Sequence, residues 1–292
     1  MTEGASITHA APLAKATEGT GRAAPSNGTR TPLLARVFIF RGSLRRPTSL
    51  AISAAASLLV IGGWEAAVRW GWSDPTFLPA PSDVLATLWQ MASDGELLGN
   101  ALVSALRVWA AFLLSAVMAI PIGMLMSTYR PIGAALEPLV DFIRYLPVPA
   151  LVPLSIIWFG VGEETKIFLL WLGTFFQLVL LVAEDMNRVP QEYVEIATTL
   201  GARNTQVLTD VAFRAMLPGL MDNLRITLGW CWTYLIIAEI VAADSGLGFV
   251  IWTARRYMQT SQVMAGVVTI GLIGLVTDQF LRALNRRLFR YL

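Results

Sequence analysis

An all-α membrane protein with about six transmembrane helices is the fold class this sequence predicts, and three observations carry the prediction. Of 292 residues, 55% are hydrophobic and only 14% are charged, with a mean hydropathy of +0.59. That is more apolar surface than one water-soluble core can hide, so lipid must cover part of it. Six apolar runs, at about 48–70, 98–127, 132–159, 164–187, 212–242 and 263–287, reach the ~20 residues needed to cross a ~30 Å hydrocarbon layer. Finally, the basic residues are lopsided: Arg36, Arg41, Arg45, Arg46, Arg130, Arg188, Arg203, Arg214, Arg282, Arg286, Arg287 and Arg290 flank one side of these runs. Only Arg69, Lys166, Arg255 and Arg256 flank the other, which places both termini and the 188–211 loop in the cytoplasm.

Residues 1–47 are rich in Ala, Gly, Thr, Ser and Pro without a periodic apolar face, the pattern of a disordered cytoplasmic tail. Met1 to Arg30 lacks the apolar core and cleavage site of a signal peptide, so the first span is expected to stay in the protein. After that span, residues 48–97 are completed by a segment with Pro81 and Ser82 at a helix start and Val84, Leu85, Leu88 and Met91 as an apolar stripe. Such a helix lies on the outer membrane surface. The next span carries Arg107 within its first turns, where a cation must pair or reach out to the interface.

The third run, DFIRYLPVPALVPLSIIWFG, sets Asp141 and Arg144 three residues apart and follows them with Pro147, Pro149 and Pro153. Prolines remove backbone donors, so this helix must break, and broken backbone at membrane depth survives only beside protein or a water-filled cavity. Arg144 thus has two readings: an ion pair with Asp141, or a positive potential along a solute path. In the fifth run, Trp230, Trp232 and Tyr234 pack or line a cavity, and Glu239 sits near the outer end, where water can solvate it. Ser245-Gly246-Leu247-Gly248 then reads as a turn.

The loop PQEYVEIATTLGARNTQVLTD, from Pro190 to Asp210, is a polar interruption patterned as two short helices hinged at a glycine. Tyr193, Ile196, Ala197 and Leu200 fall at i, i+3, i+4 and i+7, one face of a helix. Gly201 then allows a sharp change of direction. An apolar face held out on the cytoplasmic side needs a protein to cover it.

Much chemistry is excluded. His9, the only histidine, lies in the tail; Cys231, the only cysteine, lies inside a span; and there is no GxxxxGK[ST] phosphate loop. Histidine-based catalysis, cysteine metal clusters and ATP binding by this chain are therefore not expected. An ion-coupled secondary transporter is the alternative from another class, but it calls for paired carboxylates at the midplane, where Asp141 is the only acid of the third run.

Glu195, Ala197 and Gly201 stand at the spacing of the EAA loop of binding-protein-dependent ABC importer permeases. SALRVWAAF at 104–112, with Pro121 and Gly123, resembles the opening of that family's membrane domain, here residues 98–292. The proline-rich third run resembles the R-x-L-P…P-L…W-F-G signature of the nitrate, sulfonate and taurine branch, and Glu239 matches a common acidic position. Two departures stand out: Ile196 replaces the first alanine of the triplet, and Arg214 replaces a proline.

The resemblance implies a type I importer fold and a homodimer in the bacterial inner membrane. It further implies two separate ATP-binding subunits holding ATP and Mg²⁺, an outside substrate-binding protein, and no catalysis or cofactor in this chain. Tyr193, Glu195, Ile196, Ala197, Leu200, Gly201 and Ala202 are then the contacts to the ATPase. Arg144, Pro147, Pro149, Trp232 and Glu239 are then expected along the solute path. The solute implied is a small anion: an aliphatic sulfonate such as taurine first, then nitrate, bicarbonate or another small organic acid.

Overall fold

The computed structural model describes residues 46–242 and 244–289. The expectations for the tail, His9 and Arg290 lie outside them. Among the described residues every regular element is helical. The chain divides into two compact units, residues 1–57 and 58–292, and the described part of the first is the exposed opening of helix α1, Arg46–Arg69.

In the second unit α1 ends at Arg69, whose guanidinium bonds Glu65 and the Ser82 hydroxyl. Ser82 opens α2, Pro81–Ser93, with a proline in the first turn, where its missing N–H costs nothing. Val84 and Met91 of the expected stripe are buried, whereas Leu85 is 64% exposed. In the preceding loop the Asp74 carboxylate accepts the Thr76 N–H at 2.8 Å, which holds it below the usual carboxylate range.

Helix α3, Glu96–Thr128, runs 33 residues, about 50 Å at ~1.5 Å per residue. Its main neighbour is α6, Glu163–Asn187. The two approach closely where α3 carries Gly123: a Cβ there would lie 2.6 Å from the Val179 carbonyl oxygen and 2.7 Å from Val182 Cβ. Ser115 and Thr174 share a buried hydrogen bond of 2.8 Å across the same seam. Helix α8, Phe213–Ala242, completes the core with α3 and α6. One cluster gathers Val108, Leu169, Leu228 and Leu235. A second gathers Ala119, Leu178, Val182 and Leu220.

The run expected to span at 132–159 is not one continuous helix. It forms α4, Arg130–Arg144, and α5, Val148–Phe159, bent by 100° at residues 145–147. Three prolines make only one break because of where they fall. Pro147 precedes α5, Pro149 occupies its first turn, and Pro153 sits inside it at the loss of one backbone bond.

Among the described residues four helices are long and apolar enough to cross a membrane, namely α1, α3, α6 and α10, Thr260–Leu288, and the bent pair makes five spans if it counts as one. The fifth expected run, α8, is long enough at 30 residues, but Arg214, Asp222, Arg225 and Glu239 interrupt its apolarity. Between α8 and α10 lies α9, Leu247–Arg256, the short helix after the glycine turn.

Candidate functional site

The elbow between α6 and α8 is built from α7, Gln191–Thr199. Gly201 follows at φ +83°, and the Ala202 N–H returns to the Ala197 carbonyl at 3.0 Å. That left-handed residue turns the chain into a single turn at Asn204–Gln206, a π-helical segment at Val207–Ala212, and then α8. The four apolar positions do not share one fate. Tyr193, Ile196 and Leu200 are 50%, 59% and 82% exposed, while Ala197 is buried. Ala197 anchors the helix, and its larger neighbours project. Glu195 is exposed, and its carbonyl accepts the Thr198 and Thr199 hydroxyls. Arg214, beyond the π segment, borders a cleft with Asp185, Arg188 and Tyr193.

At the bend, Arg144 Nε donates to Asp141 at 3.0 Å and Nη2 donates to the Tyr145 hydroxyl at 2.8 Å. The ion pair forms, so part of the Arg144 charge is cancelled. Tyr145, Pro147 and Pro149 are exposed. Non-helical backbone uncovered by its own chain requires a protein or water-lined neighbour at membrane depth.

The third site was legible only in fragments. Arg107 is 3% exposed and spends all five N–H groups. Nε and Nη2 grip Glu163 in a bidentate fork at 2.6 Å each, Nη1 reaches Glu239 and the Ser245 carbonyl at 2.7 Å each, and Nη2 also reaches the Ser245 hydroxyl at 3.2 Å. Glu239 corrects one expectation: it is not solvated at an interface. With 0% exposure it accepts from Ser104, Arg107 and the Gly248 N–H, the last at 2.7 Å. Ser104 in turn accepts the Leu247 N–H, Asn100 accepts the Gly246 N–H, and Lys166 adds a bond to Glu163 at 2.8 Å. Four elements, α3, α6, α8 and the turn into α9, are thereby pinned together at the ends remote from the elbow. The carboxylate on Glu163 was not anticipated, because nothing in sequence links positions 56 residues apart.

Trp232 is 4% exposed and lies against a groove between α8 and α10. No group of three or more His, Cys, Asp or Glu side chains among the described residues could hold a metal ion.

The comparisons with known proteins agree with this geometry. Residues 98–290 match the family described as binding-protein-dependent transport system inner membrane component. A probable ABC transporter permease protein of Brucella melitensis is 34% identical over 246 residues, covering 84% of this chain and 99% of that one. The taurine transport system permease protein TauC of Escherichia coli (strain K12) is 34% identical over 254 residues, covering 85% and 92%. A putative aliphatic sulfonates transport permease protein SsuC of Bacillus subtilis (strain 168) is 32% identical, covering 80% and 84%.

Among solved structures, an inward-facing MetNI methionine ABC transporter overlays with a TM-score of 0.55 at 20% identity, covering 66% of this chain and 97% of that one. That likeness bears on the fold, which is the type I importer permease architecture. On the residues it carries and the relatives it matches, this chain belongs to the binding-protein-dependent transport system inner membrane component family, as an ABC importer permease subunit of the nitrate, sulfonate and taurine branch.

Proposed function

We propose that this chain is the membrane subunit of an ATP-driven importer that moves a small anion, an aliphatic sulfonate before nitrate or bicarbonate, into the cytoplasm by alternating access. Both termini face the cytoplasm. Two copies form the path, and an outside binding protein delivers the solute near residues 71–96 and 243–262. ATP and Mg²⁺ reside on two separate ATPase subunits. Their closure draws the paired elbows together, and the bundles rotate as rigid bodies.

The observation that carries this reading is the elbow itself: Tyr193, Ile196 and Leu200 project into solvent from a short helix that Ala197 and Gly201 hold at a fixed angle. An apolar ridge presented that way is a plug for a partner's socket. Glu195 and Ala202 flank the ridge as further contacts. Arg144, Pro147 and Pro149 stand beside the path at the bend, where a second copy supplies the missing cover. Glu239 is assigned to the outer anchor rather than to solute contact.

The test co-expresses the chain with its ATPase subunits and binding protein and compares Ile196→Glu and Leu200→Glu with the parent. Both positions are exposed, so folding should change by no more than about 0.5 kcal/mol. ATPase co-purification and uptake should nonetheless fall together. Unchanged co-purification and uptake in both variants would sink the reading.

A further inference from the structure

Gln177 lies two residues past Phe175, the middle of the 25-residue α6, and so within about 3 Å of the centre of that helix at ~1.5 Å per residue. Its side chain is half-buried, and its carboxamide, with two N–H donors and a carbonyl acceptor, meets no partner among the described residues. Hydroxyls at comparable depth are satisfied by their own helices: Thr174 donates to the Leu170 carbonyl, Thr227 to that of Asn223 and Thr233 to that of Gly229. A carboxamide facing hydrocarbon would stay unbonded, because acyl chains offer neither donor nor acceptor. Something other than lipid faces Gln177.

The groups beside it narrow what that is. Helices α6 and α8 run antiparallel: Asn223 donates to Asp185 at 2.7 Å near one end, and toward the other the Tyr234 ring lies over Gly173, with Cδ2 2.7 Å from where a Cβ would stand. One turn along from that second contact, Gln177 on α6 and Trp230 on α8 come to the same level. Trp230 is 37% exposed and Tyr234 is half-buried, and neither the indole N–H nor the phenol hydroxyl has a partner among the described residues. An indole can only donate, so this level of the seam presents more donors than acceptors. The carboxylates on either side of it, Glu239 and Asp185, are already held by Arg107 and Ser104 and by Asn223.

Such a place suits a solute rich in acceptors. Arg225, the guanidinium on α8, is bound to Asp222 and Asp278, which leaves the free donors neutral. Neutral donors replace part of an anion's hydration and still let it move on, as passage requires. We propose that Gln177, with Trp230 and Tyr234 beside it, is a mid-membrane station of the solute path, where the anion in transit accepts hydrogen bonds from the carboxamide. The assignment rests on the importer reading above. It adds to the bend at residues 145–147 a second contact, on the α6–α8 seam, whichever small anion is carried.

The test reconstitutes the whole transporter, with its ATPase subunits and binding protein, in proteoliposomes. A cysteine replaces Gln177 or, as a control for exposure to lipid, Leu59 of α1, which is 76% exposed. The probe is 2-sulfonatoethyl methanethiosulfonate, which attacks thiolates and therefore thiols that meet water; labelling is read on this chain by mass spectrometry. Gln177→Cys should label about tenfold faster than Leu59→Cys or more, and whichever of ethanesulfonate, nitrate and bicarbonate the parent carries should slow that labelling. Gln177→Leu breaks no bond within the chain, so assembly and resistance to dodecyl sulfate should match the parent. Uptake should nonetheless fall about tenfold to a hundredfold, the worth of a hydrogen bond to a charged acceptor. A merely structural amide would move stability and uptake together.

A Gln177→Cys thiol that labels no faster than the Leu59→Cys thiol would overturn the proposal, as would uptake by Gln177→Leu at the parental rate. Copper phenanthroline joining two Gln177→Cys copies while the sulfonate reagent stays excluded would overturn it in favour of a contact between copies. A parent that carries none of the three anions with ATP, while the Gln177→Cys thiol still labels from water, would instead sink the importer reading.

Discussion

Replacing Arg107 with methionine tests the outer anchor most directly. The substitution keeps the apolar stem and removes a guanidinium whose five N–H groups are all engaged at 3% exposure. Two carboxylates lose a partner, but unequally. Glu163 is 53% exposed at its side chain and keeps Lys166, so its share is about 0–1 kcal/mol. Glu239 is sealed from solvent and keeps only the Ser104 hydroxyl and the Gly248 N–H. An uncompensated buried charge of this kind costs about 3–5 kcal/mol, two to four powers of ten in the unfolding equilibrium.

Adding Glu239→Gln to Arg107→Met removes the orphaned charge while leaving both neutral donors a partner. The double variant should therefore regain about 2 kcal/mol or more over Arg107→Met alone. The assay is unfolding in mixed micelles of rising dodecyl sulfate fraction, followed by far-ultraviolet helicity. A fully stable Arg107→Met, or a double variant weakened by the sum of the two single losses, would refute the claim that this pair fixes the outer end of the bundle.

Two other substitutions probe backbone geometry. Gly123→Ala drives a methyl into the Val179 carbonyl and the Val182 side chain, so it should destabilise the α3–α6 seam by about 1–3 kcal/mol in the same micelle titration. At Gly201 a Cβ has open space but the φ of +83° does not suit it. Gly201→Asn should then hold the elbow and keep transport, whereas Gly201→Val should lose about 1–2 kcal/mol locally and uncouple ATP hydrolysis from uptake, measured in proteoliposomes.

How much was legible follows from which interactions are local. The elbow was readable because its helix period, its glycine and its polar flanks all lie within twenty-odd residues, and the projection of Tyr193, Ile196 and Leu200 follows from them. What the periodicity did not separate was Ala197, buried among residues of its own nominal face, because the direction of burial depends on the π-helical segment Val207–Ala212 packed against the helix. The break at Pro147 was readable from proline's missing donor. That Pro149 and Pro153 would join a helix was not, because their cost depends on position within a turn.

Sequence by itself determined that this chain spans a membrane, is helical and carries a short amphipathic elbow between two of its long helices. Those properties depend on composition, on runs of twenty residues and on motifs a few residues long. Tertiary structure alone decided that Arg107, Glu163, Lys166 and Glu239 form one saturated network. Whether a buried charge meets its opposite is a matter of helices packing at a chosen depth and rotation, and residues more than a hundred positions apart carry no local record of it.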